Sequence, residues 1–283
     1  MKQRVLSPMV GTLVAGLVLA GCASAPSEQQ PAPSEYSLSD LNEQLVMATA
    51  WVQHAAEYKA LSYQAFNIAR DRLDDALAGQ SRHDKPLAVV VDVDETLVDN
   101  MAFEAWLVGK DEAYGSERWH QWMKARQATA LPGAVSFLQY ADRQGVDVYY
   151  ITNRDEDAWT DTQANLAALG FPQLTRSHLL LKSGSSDKQA RRDLVTSSHQ
   201  VALMMGDNLA DFKSIYGSDL ASVRNEAVFD DQARFGRRFI LLPNPVYGAW
   251  EAALYDGDWS LPPDEKSAHR KAGLKAWQPS GTP

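Results

Sequence analysis

V-V-V-D-V-D-E-T-L-V-D-N, residues 89–100, joins a strongly apolar run to closely spaced acids. With Leu87 and Ala88 in front of it, the valine run has the unbroken apolar character of a central parallel strand, buried on both faces. It stops at Asp92, and Asp94 follows two residues later. An ionised carboxylate buried without a partner is costly and drifts toward its neutral form. A metal ion, a nearby cation or a proton must therefore neutralise the acids at this strand end.

Working outward, apolar runs at 146–151, 178–181, 201–205 and 239–242 predict further strands. Helical spacing predicts one long or two shorter helices over 37–79, closed by Gly79, and helices at 134–145, 157–169 and 187–195. The segment 100–130 is aromatic-rich and reads as a mostly helical insert, with Trp106, Trp119 and Trp122 assigned to its own core. Strands alternating with helices give an α/β fold, doubly wound around a mostly parallel sheet, with a small helical accessory domain. Three strands end in polar chemistry: Val91 into Asp92, Ile151 into Thr152-Asn153-Arg154, and Met205 into Gly206-Asp207-Asn208. In open α/β sheets ligands bind beyond the carboxyl ends of the strands, so these groups are predicted to converge. Arg191 and Arg192 read as a solvated helix face. Asp99 and Asn100 read as site contacts or as caps of the next helix.

The chain has 283 residues, 45% of them hydrophobic, and a formal net charge of -9. That acidic balance disfavours a nucleic-acid polymer as partner but leaves room for a small anion held by a local cation or metal. Residues 1–21 read as a signal peptide: Lys2 and Arg4, then an apolar run too short to span a bilayer comfortably. Leu19-Ala20-Gly21-Cys22 resembles a bacterial lipobox, which implies lipidation at Cys22, the only cysteine. The context resembles Gram-negative lipoproteins sorted to the outer membrane. Residues 22–36, small, polar and Pro-rich, read as a disordered tether, 37–86 as N-terminal helices, 87–260 as the core and 261–283 as a C-terminal tail.

D-V-D-E-T (92–96), a strand ending in Thr152, then Lys182, then G-D-N-L-A-D-F (206–212) resemble the haloacid dehalogenase (HAD) superfamily. More narrowly they resemble its class C bacterial acid phosphatases of the lipoprotein e type. The resemblance implies an HAD-like fold and hydrolysis of phosphomonoesters. Asp92 would be the nucleophile that forms an aspartyl-phosphate, and Asp94 the general acid and base. Thr152, Asn153 and Lys182 would bind the phosphoryl group. Mg²⁺ would be held by Asp92, the main-chain carbonyl of Asp94 and Asp207, with Asp211 either a further ligand or a partner bonded to the ligands. The family also tends to form homodimers. L-P-N-P-V-Y-G-A-W-E (242–251) resembles the segment that supplies an aromatic ring to the substrate pocket. Tyr247 and Tyr114 are the expected stacking pair, which implies nucleoside monophosphates or nicotinamide mononucleotide as substrates. Phe103 and Ala202 depart from the usual residues of that family without touching the reacting groups. A second reading is an inactive relative acting as a surface ligand-binding lipoprotein, for example one that binds haem. An EF-hand fails because its sixth and twelfth positions would be Leu97 and Phe103.

Overall fold

In chain order the strands are β1 (Leu87–Val91), β2 (Val98–Asp99), β3 (Thr129–Ala130), β4 (Asp147–Asp155), β5 (Leu179–Lys182), β6 (Gln200–Gly206) and β7 (Phe239–Leu241). They come from a computed structural model that describes residues 36–278. Five of them form one sheet in the order β5-β4-β1-β6-β7, every neighbouring pair parallel. All five residues of β1 are buried. Alternate side chains face opposite layers: Leu87, Val89 and Val91 join one apolar core with Phe66, Leu73 and Phe137, while Ala88 and Val90 join another with Val195, Phe212 and Tyr216. The expected mostly parallel α/β sheet, covered by helices on both faces, is therefore present.

From β1 the chain winds outward to β4 and β5, then returns to place β6 on the other side of β1. The order reverses between β1 and β6, and a crevice opens at the carboxyl ends of the strands at such a switch point. Asp92 extends β1 into that crevice, its N–H donating to Met205 O at 3.0 Å. Asp207 follows directly on β6.

The two short strands pair antiparallel, Val98 with Ala130 and Asp99 with Thr129, and close the neck of the insert. The insert carries helices Met101–Leu107 and Ser116–Ala125, and Phe103 meets Trp119 edge to face at 5.2 Å.

The N-terminal region forms three helices, Leu38–Asn42, Val46–His54 and Ala56–Gly79. The first is capped by Ser37 and Asp40, which bond each other's main chain reciprocally. The break between the second and third falls at Ala55, extended at ψ 130°. No glycine or proline marks it, so periodicity alone could not place it. The expected C-terminal tail contains a helix, Pro263–Ala272, tied to the first helices through Gln44 Nε2 to Ser267 Oγ at 2.9 Å and Arg270 to Gln44 Oε1 at 2.9 Å. Cys22 and the signal peptide lie outside the described residues.

Candidate active site

Asp92, Asp207 and Asp211 each place a carboxylate oxygen within 4.8 Å of the others. Asp92 and Asp211 are buried. Burial is the main reason the Asp92 carboxyl is pushed up to about 7; Asp211 and Asp94 add to the rise, and Lys188 opposes it. Asp207 is raised well above the carboxylate range by burial, then by Asp211 and Asp92. Three acids share one cation and remain short of positive charge. An all-oxygen donor set with that deficit fits a hard divalent cation. Asp94 is not part of the trio; its carboxylate turns to Arg154.

The cation present is Lys188. Its ammonium pairs with Asp92 and donates to Asp211 Oδ1 at 2.7 Å, with its side chain 6% exposed. Burial lowers its pKa, but Asp211 and Asp92 more than reverse this, and the net shift is upward. The expected lysine, Lys182, is a correction. It is the last residue of β5, an edge strand, and pairs with Asp155 at 2.9 Å. Lys188 stands at the N-cap of helix Gln189–Ser198, six residues further on, where the loop after β5 lines the cavity with Ser186 and Asp187.

Two more expectations change here. Arg192 is 2% exposed rather than solvated, and it donates to Ala210 O at 3.0 Å and Asp211 O at 3.1 Å, tying the Lys188 helix to the Asp211 turn. Arg191 donates to Asn153 Oδ1 at 2.7 Å, while Asn153 Nδ2 donates to Ser186 O at 2.9 Å. Asn153 is thus occupied in bracing the loop that presents Lys188, although it also lines the cavity.

Asp94 is held from several sides. Arg154 donates through Nη2 at 2.7 Å and Nε at 3.0 Å to Oδ1, and Asn100 Nδ2 donates to the same oxygen at 2.9 Å. The Thr152 hydroxyl reaches Oδ2 at 3.3 Å. Trp122 Nε1 in turn donates to Asn100 Oδ1 at 2.8 Å. Such a cage fixes the carboxylate rotamer before a ligand arrives. Asp99 caps the next helix instead, accepting from Met101 N at 2.7 Å. The turn between Asp94 and Val98 depends on Glu95, which sits at φ 55°, a region side-chain-bearing residues seldom adopt. Its buried carboxylate accepts Asn100 N–H at 2.8 Å and the Tyr247 hydroxyl, which offsets the strain. Thr96 Oγ1 lies 3.4 Å from Asp92 and 3.3 Å from Asp207. Gly206 allows the close approach of Asp211: a Cβ there would lie 2.6 Å from Asp211 Cβ.

These groups open into a cavity of about 970 Å³ lined by Asp92, Asp94, Lys188 and Asp207, and by Tyr114, Trp119 and Tyr247. Both tyrosines of the expected stacking pair therefore border the same space. Trp119, assigned from sequence to the insert core, is buried and also lines the cavity. Its regular helical spacing with Met123 gave no signal that it faces a pocket. Lys188 and Trp119 are the site residues that spacing alone did not mark, whereas Arg154 belongs to the strand end expected to converge here.

A parallel doubly wound sheet with acids at its central switch point defines an open α/β protein with a polar site at the strand ends. The family model of the HAD superfamily, subfamily IIIB (acid phosphatase), matches residues 15–250, and the chain belongs to that family. It is 42% identical to the class C acid phosphatase of Bacillus anthracis, with a TM-score of 0.80 covering 84% of this chain and 99% of that one. A structure of the same enzyme with tungstate bound matches at 41% identity, again with a TM-score of 0.80 and the same coverage. The stem 28 kDa glycoprotein of Glycine max is 24% identical over 230 residues, 75% of this chain and 78% of the other. The protein is an acid phosphatase, a phosphomonoester hydrolase, which sets aside the reading as an inactive relative.

Proposed function

We propose that this phosphatase hydrolyses 5′-nucleoside monophosphates and nicotinamide mononucleotide with Mg²⁺, through an aspartyl-phosphate on Asp92. The observation that carries the reading is one cavity that holds Asp92, Asp94 and Lys188 together with Tyr114, Trp119 and Tyr247. In the first step an Asp92 carboxylate oxygen bonds to phosphorus, the bond from phosphorus to the ester oxygen breaks, and Asp94 gives its proton to the departing alcohol. In the second, Asp94 takes a proton from water as the water oxygen attacks the phosphorus of the acyl phosphate, releasing phosphate and restoring Asp92. Lys188 places positive charge beside the nucleophile and offsets the charge that builds up there. Asp92, Asp207 and Asp211 would hold the Mg²⁺, which when bound supplies charge neutralisation between an anionic nucleophile and an anionic substrate. A structure of the Bacillus anthracis relative has tungstate bound, which supports the reading that an enzyme of this kind takes up an oxyanion.

An anchor at Cys22, with placement on the outer membrane, belongs to the same proposal and rests on Leu19-Ala20-Gly21-Cys22. No described helix is long and apolar enough to cross a membrane. Labelled palmitate incorporated by the full chain and lost in Cys22→Ser would support the anchor; equal labelling of both would remove it.

The function is tested by phosphate release from adenosine and nicotinamide mononucleotides at acidic pH with Mg²⁺, with EDTA, and with Asp92→Asn. An acid-quenched reaction should leave labelled phosphate on the wild-type protein and none on the variant. Turnover that survives EDTA or Asp92→Asn would overturn the mechanism.

A further inference from the structure

The cavity contains a second pair of acids, Glu104 and Glu251, beside Leu41, Leu45 and Leu107. Each is 6% exposed. Their surroundings differ. Glu251 Oε1 accepts from the Tyr255 hydroxyl at 2.7 Å and from Arg270 Nη2 at 2.5 Å. No hydrogen bond or cation reaches the Glu104 carboxylate among the described residues; burial, and then Glu251, push it up to about 7. Glu104 lies in the first turn of helix Met101–Leu107, but a solvent-facing acid would serve that helix end equally well. A buried acid without a partner that borders a substrate cavity marks a place for a ligand group.

Tyr114 relates this acid to the reacting groups. Much of the residue is exposed, yet its hydroxyl end is desolvated and pushed up to about 12, first by burial and then by Asp94 and Glu104. The Tyr114 ring lines the same cavity as the reacting Asp94 and Glu104. A planar leaving group against Tyr114 and Trp119 would carry its edge substituents in the ring plane. In either protonation state Glu104 keeps an oxygen that accepts a hydrogen bond, so it can receive a donor from the ligand at any pH.

We infer that Glu104 is a specificity-determining acceptor that receives an N–H from an amino or carboxamide group on the aromatic ring of the leaving portion. The inference rests on the nucleotide reading above and narrows it to ring systems with a donor on their edge. A site built to bond such a donor discriminates against the analogue that lacks it, because its own polar group is then left unpaired.

The test compares kcat/KM for adenosine 5′-monophosphate with that for purine riboside 5′-monophosphate, which lacks only the amino group. Wild type, Glu104→Gln and Glu104→Leu are measured, with phenyl phosphate as a substrate that has no nucleoside. The wild type should prefer the amino-bearing nucleotide by about tenfold or more. Glu104→Leu should bring the ratio to one, and Glu104→Gln, which keeps an acceptor oxygen, should retain part of it. A purely structural role would lower both nucleotides together and leave the ratio unchanged, and so would a bond to a sugar hydroxyl; either result overturns the inference. Equal turnover of both nucleotides by the wild type overturns it while leaving the nucleotide reading intact. Turnover of phenyl phosphate with neither nucleotide hydrolysed overturns both.

Discussion

At the centre of the sheet, β1 and β6 run into Asp92, Asp207 and Asp211, with Lys188 enclosed among them. At its edge, β4 and β5 end in Asp155 and Lys182, paired at 2.9 Å with side chains 41% and 27% exposed. His120 stands 3.7 Å from the same Asp155. Both places combine aspartates with a lysine at strand ends. Water screens the edge pair and makes it nearly neutral in energy, whereas the enclosed set has only its own charges to balance it. Chemistry collects at the central strands because enclosure there holds acids in a state they would not choose in water.

The sharpest way to break that contrast is Asp92→Asn. Phosphate release should fall by at least about 10³-fold with the fold intact, checked by single-turnover assays beside circular dichroism. Residual activity within tenfold of wild type would show that the central acids are not the reacting set. Lys188→Met comes next. It leaves Asp92 and Asp211 uncompensated and should cost about 3–5 kcal/mol in metal-free urea unfolding, with saturating Mg²⁺ recovering part of the loss. An unchanged midpoint would mean that the enclosed pair contributes no more than the edge pair.

Glu104 extends the comparison to a third set of acids, and its effect depends on pH. Its folded pKa of about 7 stands above the ordinary glutamate value, so below about pH 4.5 both states are protonated and no penalty exists. As pH rises, the unfolded chain ionises first, and the folded state is penalised increasingly until about pH 7. Glu104→Gln removes that penalty. Its stability relative to wild type should therefore rise by up to about 3 kcal/mol between pH 4.5 and 7.5 in denaturant titrations. A pH-independent difference would show the carboxyl to be solvated. The smallest effect belongs to the edge: Lys182→Ala should change stability by less than about 1 kcal/mol and turnover by less than about threefold. A hundredfold loss of turnover would return Lys182 to the site.

The same contrast explains what could be read in advance. Unbroken apolar runs such as Leu87–Val91 announce central strands, because burial on both faces forbids polar residues. Asp92 and Asp207 could be found because they interrupt that pattern. Lys188 could not: it lies on a loop whose path depends on tertiary packing, and the lysine at the strand end looked equally suitable in one dimension. Arg192 reads as a surface residue beside Arg191 until the helix is docked, when it reaches the Ala210 and Asp211 carbonyls. Trp119 looked like insert core because it is core on one side and cavity wall on the other. Glu104 carries no sequence signal at all, since one acid in a short amphipathic helix is unremarked until its neighbours are placed.

Gly206 carries a different kind of consequence. Asp211 folds back against it so closely that even a methyl group would overlap the Asp211 side chain. In a saturation library of this chain, position 206 should therefore accept no replacement, while the reacting carboxylates would at least tolerate amides in a folded, silent protein. The position with no functional group to offer would show the narrowest mutational tolerance of the whole site, and a screen that scored abundance rather than turnover would rank it above the nucleophile.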